Sequence, residues 1–475
     1  MRKRKDSPAQ GRTRSLNGET LLAAVRWIID AGIFEQRKFH GNTGWKPFEF
    51  VLLAVVWAWS DSSTLTGAFG EAHRWSLNVL GRAAVSTYQG LMGALVASTG
   101  RILPLLWGRM HELLEQHGGD HWRIGSWLPL AVDGSRISTP RTKANERAFC
   151  APNFGLSRKA DYRRRKRRQQ GRPQRRRRRR KSGPPVGPQI WLTLIWHMGL
   201  RMPWSWKSGP STASERDHFQ RMLREQQFPE NTLFCGDAGF TGYELWKAAI
   251  DRGHQILIRV GANVTLLRKL GYEVRERGDI VYCWPSAAAR KNQPPLVLRL
   301  IRFRLGRTQA CVVTSILEHR RLTEKQAVRL YRLRWGVELQ FRALKQTFGR
   351  RKLRSKRPDR ALAELDWSLL GLAIIQLFAI KEQVRFGELP EQCSVSLAIR
   401  IVRETLDRWY ETPAASETFS RRLRAAVTDD YRRTSSKKAR YRPNFNDKPS
   451  AKKPKLLDAT RQQKQWLEKY LKKAA

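Results

Sequence analysis

Tyr331, Arg334, Glu338 and Lys345 place a phenol, two bases and one carboxylate within a single stretch, Tyr331–Lys345, that reads as helix. At about 100° per residue the four fall within an arc of roughly 60°. Leu330, Leu333, Val337, Phe341 and Leu344 occupy the adjoining arc, roughly 80° wide, and form a core-facing stripe. A carboxylate among cations is usually an internal ion-pair network. It can equally belong to a site in which acid and bases address one object, such as a metal-bound phosphate.

Two aspartates favour the second reading. Asp133 closes the apolar run Trp127-Leu-Pro-Leu-Ala-Val-Asp-Gly, and Asp237 closes Thr232-Leu-Phe-Cys-Gly-Asp. Each run reads as a short buried strand that delivers an aspartate to its end. Taken alone, a strand-end Asp more often favours a turn. Two such acids and a third on a later helix are what two-metal phosphoryl transfer requires. Mg²⁺ takes hard oxygen ligands and leaves positions for substrate oxygens. Gly134, Gly236 and Gly239 beside the aspartates would let a phosphate backbone come close. The sequence contains no G-x-x-x-x-G-K-[ST], so a P-loop is not suggested.

The charge points to the substrate. The chain has 475 residues, with 91 Lys+Arg against 41 Asp+Glu, a net charge of +50. The run Arg158–Lys181 holds 16 Lys/Arg and one acid, so it supplies +15 and leaves +35 spread elsewhere. A wholly basic molecule is expected to bind a polyanion, most often nucleic acid, through phosphate neutralisation. The five cysteines are scattered without a C-x-x-C pair, which argues against a zinc ribbon or a disulfide framework. No hydrophobic signal core follows the basic N-terminus. The apolar runs near Phe50–Trp59 and Leu369–Ile380 read as too short or interrupted to cross a bilayer. No membrane partner and a cytoplasmic, nucleoid-associated location are expected.

The elements that must position these residues follow from pattern and punctuation. Residues 1–120 read as a basic arm and a helical, DNA-binding region. Its helices are expected at Thr20–Ala31, Pro47–Trp59, Ala84–Ser98 and Ile102–Gln116. Residues 121–262 carry the strand to Asp133, an arginine-rich loop at 158–183, a hairpin of Gln189–His197 with Leu200–Trp206, a helix Ser211–Glu225, the strand to Asp237, a helix Thr241–Asp251 and a strand Gln255–Val260. Residues 263–317 alternate as short β segments (Glu273–Arg277, Ile280–Trp284, Leu296–Leu305, Ala310–Ser315) and form an insertion. Residues 318–385 carry the opening helix, which Thr323 and Gln326 cap as a box. Residues 386–475 are helical and then basic. Within the insertion, Tyr282 and Trp284 could stack on a displaced base. Such alternating aromatics are more commonly a sheet's packed face.

The pattern Tyr331-x2-Arg334-x3-Glu338-x6-Lys345 resembles the Y-R-E-K signature of the IS4-type DDE transposases. Val132-Asp133-Gly134-Ser135 with Pro140 is similar to that family's first-acid motif, and Gly236-Asp237-Ala238-Gly239-Phe240 to its second. Leu353-Arg-Ser-Lys-Arg-Pro358 also matches, so the resemblance covers about Leu128 to Phe378. The arginine run between the first two acids is not part of the family pattern. The resemblance implies an α/β fold: an RNase H-like catalytic core interrupted by a β-strand insertion domain, with helical N- and C-terminal regions. It implies Asp133, Asp237 and Glu338 as metal ligands, with Mg²⁺ (or Mn²⁺) as cofactor. Tyr331, Arg334 and Lys345 would then grip DNA phosphates. The implied reaction is cleavage at an element's terminal inverted repeats, by way of a hairpin in related enzymes, then joining of the 3′-OH ends to target DNA. The implied partners are double-stranded DNA and a second copy of the chain. Three rivals stand beside it: a catalytically silent or repurposed DNA-binding relative, a metal-dependent nuclease of the same fold, and a basic RNA-associated protein. The last accounts for the charge but not for the carboxylates.

Overall fold

A computed structural model describes residues 15–35, 44–151, 187–272, 278–305, 308–428 and 453–474. The arginine-rich loop and the Glu273–Arg277 strand expected from sequence lie outside them. By contacts the chain divides into two compact units, Met1–Gly118 with Ala363–Thr428, and Gly119–Leu362 with Asp429–Ala475. The last 90 residues are therefore shared between the two units and form no region of their own.

The first unit is helical. Its centre is Pro47–Trp59, which starts with Pro at its first turn, where a missing N–H costs nothing. Phe50 to Trp59 are buried on every side. Trp59 Nε1 donates to Gly371 O at 2.8 Å, and Trp367 Nε1 to Thr99 Oγ1 at 2.8 Å, so both buried indoles are satisfied. The two helices expected at Ala84–Ser98 and Ile102–Gln116 are one, Tyr88–His117, with Pro104 inside it. Proline costs one backbone bond. The buried row Ile102, Leu106, Met110 and Leu113 continues past it and holds the helix together. A helix at Leu65–Leu80, capped by Thr64, was not legible in the sequence.

Two helices exceed the lengths expected of the apolar runs. Tyr88–His117 and Pro358–Arg385 are long and apolar enough to cross a membrane. The apolar window of the second is 94% buried inside the protein, and core burial explains its composition.

The second unit is built on one sheet. Its strands are β1 (Leu128–Ser138), β2 (Gln189–His197), β3 (Met202–Gly209), β4 (Thr232–Gly236), β5 (Gln255–Val260), β6 (Thr265–Arg268), β7 (Ile280–Cys283), β8 (Leu296–Leu305), β9 (Thr308–Thr314) and β10 (Lys455–Asp458). Their spatial order is β10-β6-β7-β8-β9-β5-β4-β1-β2-β3. β1, β4 and β5 run parallel, and β2 and β3 return antiparallel beyond β1. All five residues of β4 are buried, as a central parallel strand requires.

The insertion strands β6–β9 extend this same sheet from β5 through β9, rather than folding as a separate layer. β10 adds a parallel outer strand against β6. Tyr282 is fully buried and Trp284 nearly so, with Trp284 Nε1 donating to Gln293 O at 2.9 Å. Neither ring offers a face to solvent. The sheet-packing reading of the two describes where they sit.

Candidate active site

Asp133 lies in the middle of β1, not at its end as the sequence suggested. Across β2 it faces Leu194, so that ladder continues past it. On the other side the pairing with β4 stops one residue earlier, at Val132↔Gly236. Asp133 thus sits at the fork where β1 runs on beyond the end of β4. Asp237 is the first residue after β4 and opens a short 3₁₀ turn. The parallel register therefore brings the two aspartates to the same level of the sheet. Each is held by the backbone: Gly134 N donates to Asp133 Oδ1 at 2.8 Å, and Gly239 N to Asp237 Oδ1 at 2.7 Å.

The stretch from Tyr331 to Lys345 is not one regular helix. An α-helix Glu324–Leu333, with the expected Thr323–Gln326 capping box, gives way at Arg334–Trp335. A second helix, Gly336–Arg342, continues into a π turn at Ala343–Thr347. The even 100° spacing used above is therefore broken at two points. π turns often mark functional positions. Here the turn carries Lys345.

Two contacts pin this segment to the sheet. A Cβ on Gly336 would overlap the indole of Trp196 on β2, so only glycine allows the helix so close. Lys345 Nζ donates to Ser135 Oγ at 2.6 Å, two residues along β1 from Asp133. Glu338 lies between these anchors, with its side chain exposed.

The electrostatics place Asp133 within the fields of Asp237 and Glu338. Asp133 is pushed up to about 6, mainly by burial. The Gly134 N–H and Arg334 oppose that rise, while Asp237 and Glu338 both add to it. A carboxylate raised by neighbouring carboxylates sits in a field that a cation would stabilise. Among the described residues, no three His, Cys, Asp or Glu side chains are gathered tightly around one point. The Glu338 side chain makes no hydrogen bond or ion pair with a described residue. The donor set, all hard carboxylate oxygens with no thiol or imidazole, fits Mg²⁺ or Mn²⁺.

The cationic neighbours divide by burial. Arg334 is 4% exposed, and its guanidinium lies over the rings of Tyr331 (5.5 Å) and Trp335 (5.3 Å). Lys345 is half-buried and its pKa is lowered, first by burial and then by Arg351. Tyr331 differs from its expected role. It is fully buried, its hydroxyl has no hydrogen-bond partner, and Phe303 meets its ring edge-on at 5.6 Å. In this conformation it supports Arg334 from beneath and reaches no solvent.

Glu215 was not singled out in the sequence. It is the first residue of the helix Glu215–Glu225, which Ser214 caps. Its carboxylate lies against the Cα atoms of both Gly134 and Gly239, the glycines beside the two aspartates. Burial, then Asp237 and Asp133, push it up to about 7. An acid in the first turn of a capped helix is unremarkable in sequence, because it favours the helix dipole anyway. Only the packing of that helix on β2 and β3 reveals where it points.

A family model described as a transposase DDE domain matches residues 207–374, which include Glu215, Asp237, Arg334, Glu338 and Lys345 but not Asp133. The chain thus carries a transposase DDE domain. It is 27% identical over 300 residues to the transposase InsG for insertion sequence element IS4 of Escherichia coli (strain K12), a match covering 60% of this chain and 60% of that protein. The chain thus spans three fifths of the length of the curated relative it matches. A cryo-EM structure of a piggyBac transposase synaptic complex with hairpin DNA overlays on 88% of this chain and 84% of its own, with 13% identity and a TM-score of 0.39. More particularly, the chain is similar to an IS4 transposase over three fifths of its length.

Proposed function

We propose that this protein is a DNA transposase that cleaves at the terminal inverted repeats of its element and joins the freed 3′-OH ends to target DNA. Asp133, Asp237 and Glu338 would hold the divalent cations, Mg²⁺ or Mn²⁺. Bound there, such ions activate the attacking oxygen and stabilise the leaving one. The observation that carries the reading is the parallel register of β1 and β4, which brings Asp133 and Asp237 to the same level of the sheet, with Lys345 tying the Glu338 segment to Ser135 beside them.

The chain's own residues supply the rest. Lys345, tied to Ser135, sets a positive charge beside β1 where a terminal phosphate would approach. Arg334, propped on Tyr331, keeps a fixed guanidinium near Asp133 and limits how far burial neutralises it. Gly134 and Gly239 leave room beside the two aspartates, which the Glu215 carboxylate takes up. The strand order β3-β2-β1-β4-β5 supports an RNase H-like core for this half of the sheet. The net charge of +50 supports double-stranded DNA as the partner. Action as a dimer on paired ends, in the cytoplasm at the nucleoid, belongs to the same proposal.

The test is an in vitro reaction on the element's own ends with Mg²⁺, resolving nicked, hairpin and joined products. Wild type should give joined product. Glu338→Gln should bind the ends but neither nick nor join them, and joining by that variant would sink the assignment. Cleavage without joining would favour a nuclease of the same fold. Binding without cleavage by wild type would favour a silent relative.

A further inference from the structure

We propose that Glu215 is a fourth carboxylate of the cation site and shares an ion with Asp237. The inference rests on the transposase reading of the same site and adds a ligand to it.

Three observations converge. The first is position. A Cβ built on Gly239 would lie 2.9 Å from Glu215 Oε1 and 2.9 Å from Asp237 Oδ1. Two oxygens that close to one point are no more than about 6 Å apart, so a small side-chain rotation would bring both to the ~2.1 Å bond length of a Mg²⁺ ligand. The second is clearance. The other oxygen, Oε2, presses on Gly134, and a Cβ there would collide with it and with Glu215 Cβ. Glycine at both 134 and 239 is what leaves room for this carboxylate between the two aspartates.

The third is charge. The chain has 91 Lys+Arg and 41 Asp+Glu, so cations are abundant. The Glu215 side chain nevertheless makes no ion pair or hydrogen bond with any described residue, and its oxygens lie beside Gly134 and Gly239, the neighbours of Asp133 and Asp237. A half-buried carboxylate that faces only like charges is costly unless a cation is meant to join it. Arg334 is buried, and its Nε has no partner among the described residues.

The helix is built to hold this acid in place. Ser214 Oγ accepts from Asp217 N, while His218, Phe219, Met222 and Leu223 are buried and dock the helix on the sheet. His218 is fastened to β2 through Thr193 Oγ1 at 3.0 Å. Glu215 therefore sits at the fixed end of a docked helix rather than on a loop.

The experiment is Mn²⁺ binding to the full chain, free of DNA, read by the loss of the free-ion EPR signal. Wild type, Glu215→Gln, Glu215→Asp and Asp237→Asn are titrated side by side, and circular dichroism checks that each is folded. Glu215→Gln should weaken binding at least tenfold or remove one equivalent of bound Mn²⁺, with Asp237→Asn acting on the same equivalent. Glu215→Asp should fall between wild type and Gln. Gly239→Ala should weaken binding too, although it removes no oxygen. Wild-type affinity in Glu215→Gln alongside lost affinity in Asp237→Asn would overturn the inference alone. Wild-type affinity in both variants would overturn it together with the metal reading of the whole site.

Discussion

Each unit of the molecule has a group of acids, and the two groups are handled differently. In the helical unit, Asp61, Glu71 and Asp407 line a cavity of about 300 Å³. Burial and the two neighbouring acids raise Asp407. Arg74 and Arg403 line the same cavity, however, and Arg403 pulls Asp407 back down. Arg403 Nε also donates to Trp59 O at 2.9 Å, and Ser60 Oγ donates to Glu71. In the sheet unit, Asp133 has a buried arginine nearby, while Glu215 has only other carboxylates. The first group has fixed protein cations, Arg74 and Arg403, set among its acids. The second is left short of positive charge in a chain that has a large surplus of it, and the proposed cation site rests on that shortage.

The largest effect that could break this contrast is on chemistry. Asp133→Asn should lower end cleavage by about 10³-fold or more, an effect of roughly 4 kcal/mol on the barrier. Asp407→Asn should leave it within about 2-fold. Single-turnover cleavage of end DNA measures both, and a comparable loss in the two would erase the distinction. Next comes packing. Gly336→Ala drives a methyl into Trp196 and should cost about 1–3 kcal/mol by urea unfolding, while also weakening cleavage by shifting Glu338. Gly70→Ala in the helical unit meets nothing within 4 Å and should be neutral or stabilising by about 0.5–1 kcal/mol.

A smaller effect is expected on DNA affinity. Lys345→Gln should weaken binding at all sequences alike and reduce the salt slope by about 1, as loss of one phosphate contact does. An unchanged slope would make Lys345 only a tie to Ser135. The smallest effect is on stability against pH. Asp407 is raised in the folded protein, so the folded state binds its proton more tightly than the unfolded chain does. Stability from this group is present below its ordinary value near 3.8 and is lost as pH rises through the raised one. Asp407→Asn should therefore melt about 1–2 °C higher than wild type at neutral pH and equally at pH 3.5. Mg²⁺ should not alter that difference.

Much of this was legible because it is local. Leu296–Leu305 and Gln255–Val260 alternate or run apolar over their whole length, and both strands form as read. Thr323 and Gln326 make their capping box within four residues. Three features were not local. Asp133 falls mid-strand because β2 pairs past it, and a ladder partner 61 positions away, Leu194, leaves no mark beside Asp133. The break at Arg334–Trp335 and the π turn at Lys345 arise where helix residues fit against Trp196 and Ser135, which periodicity cannot register. Glu215 reads as an ordinary first-turn acid until Gly134 and Gly239 are placed around it.

The outer edge of the sheet has a schedule as well as a shape. β6 pairs along its outer side with β10, which is encoded 190 positions later, Lys455 against Thr265. At about 5–20 residues per second, β6 leaves the ribosome some 10–40 s before the strand that covers it. During that interval its N–H and C=O groups are open to any passing strand. Arg268 and Lys269, which later pair with Asp458, stand at that edge from the start. The pair therefore serves twice, first as a charged deterrent to misassembly and afterwards as the clasp that closes the sheet.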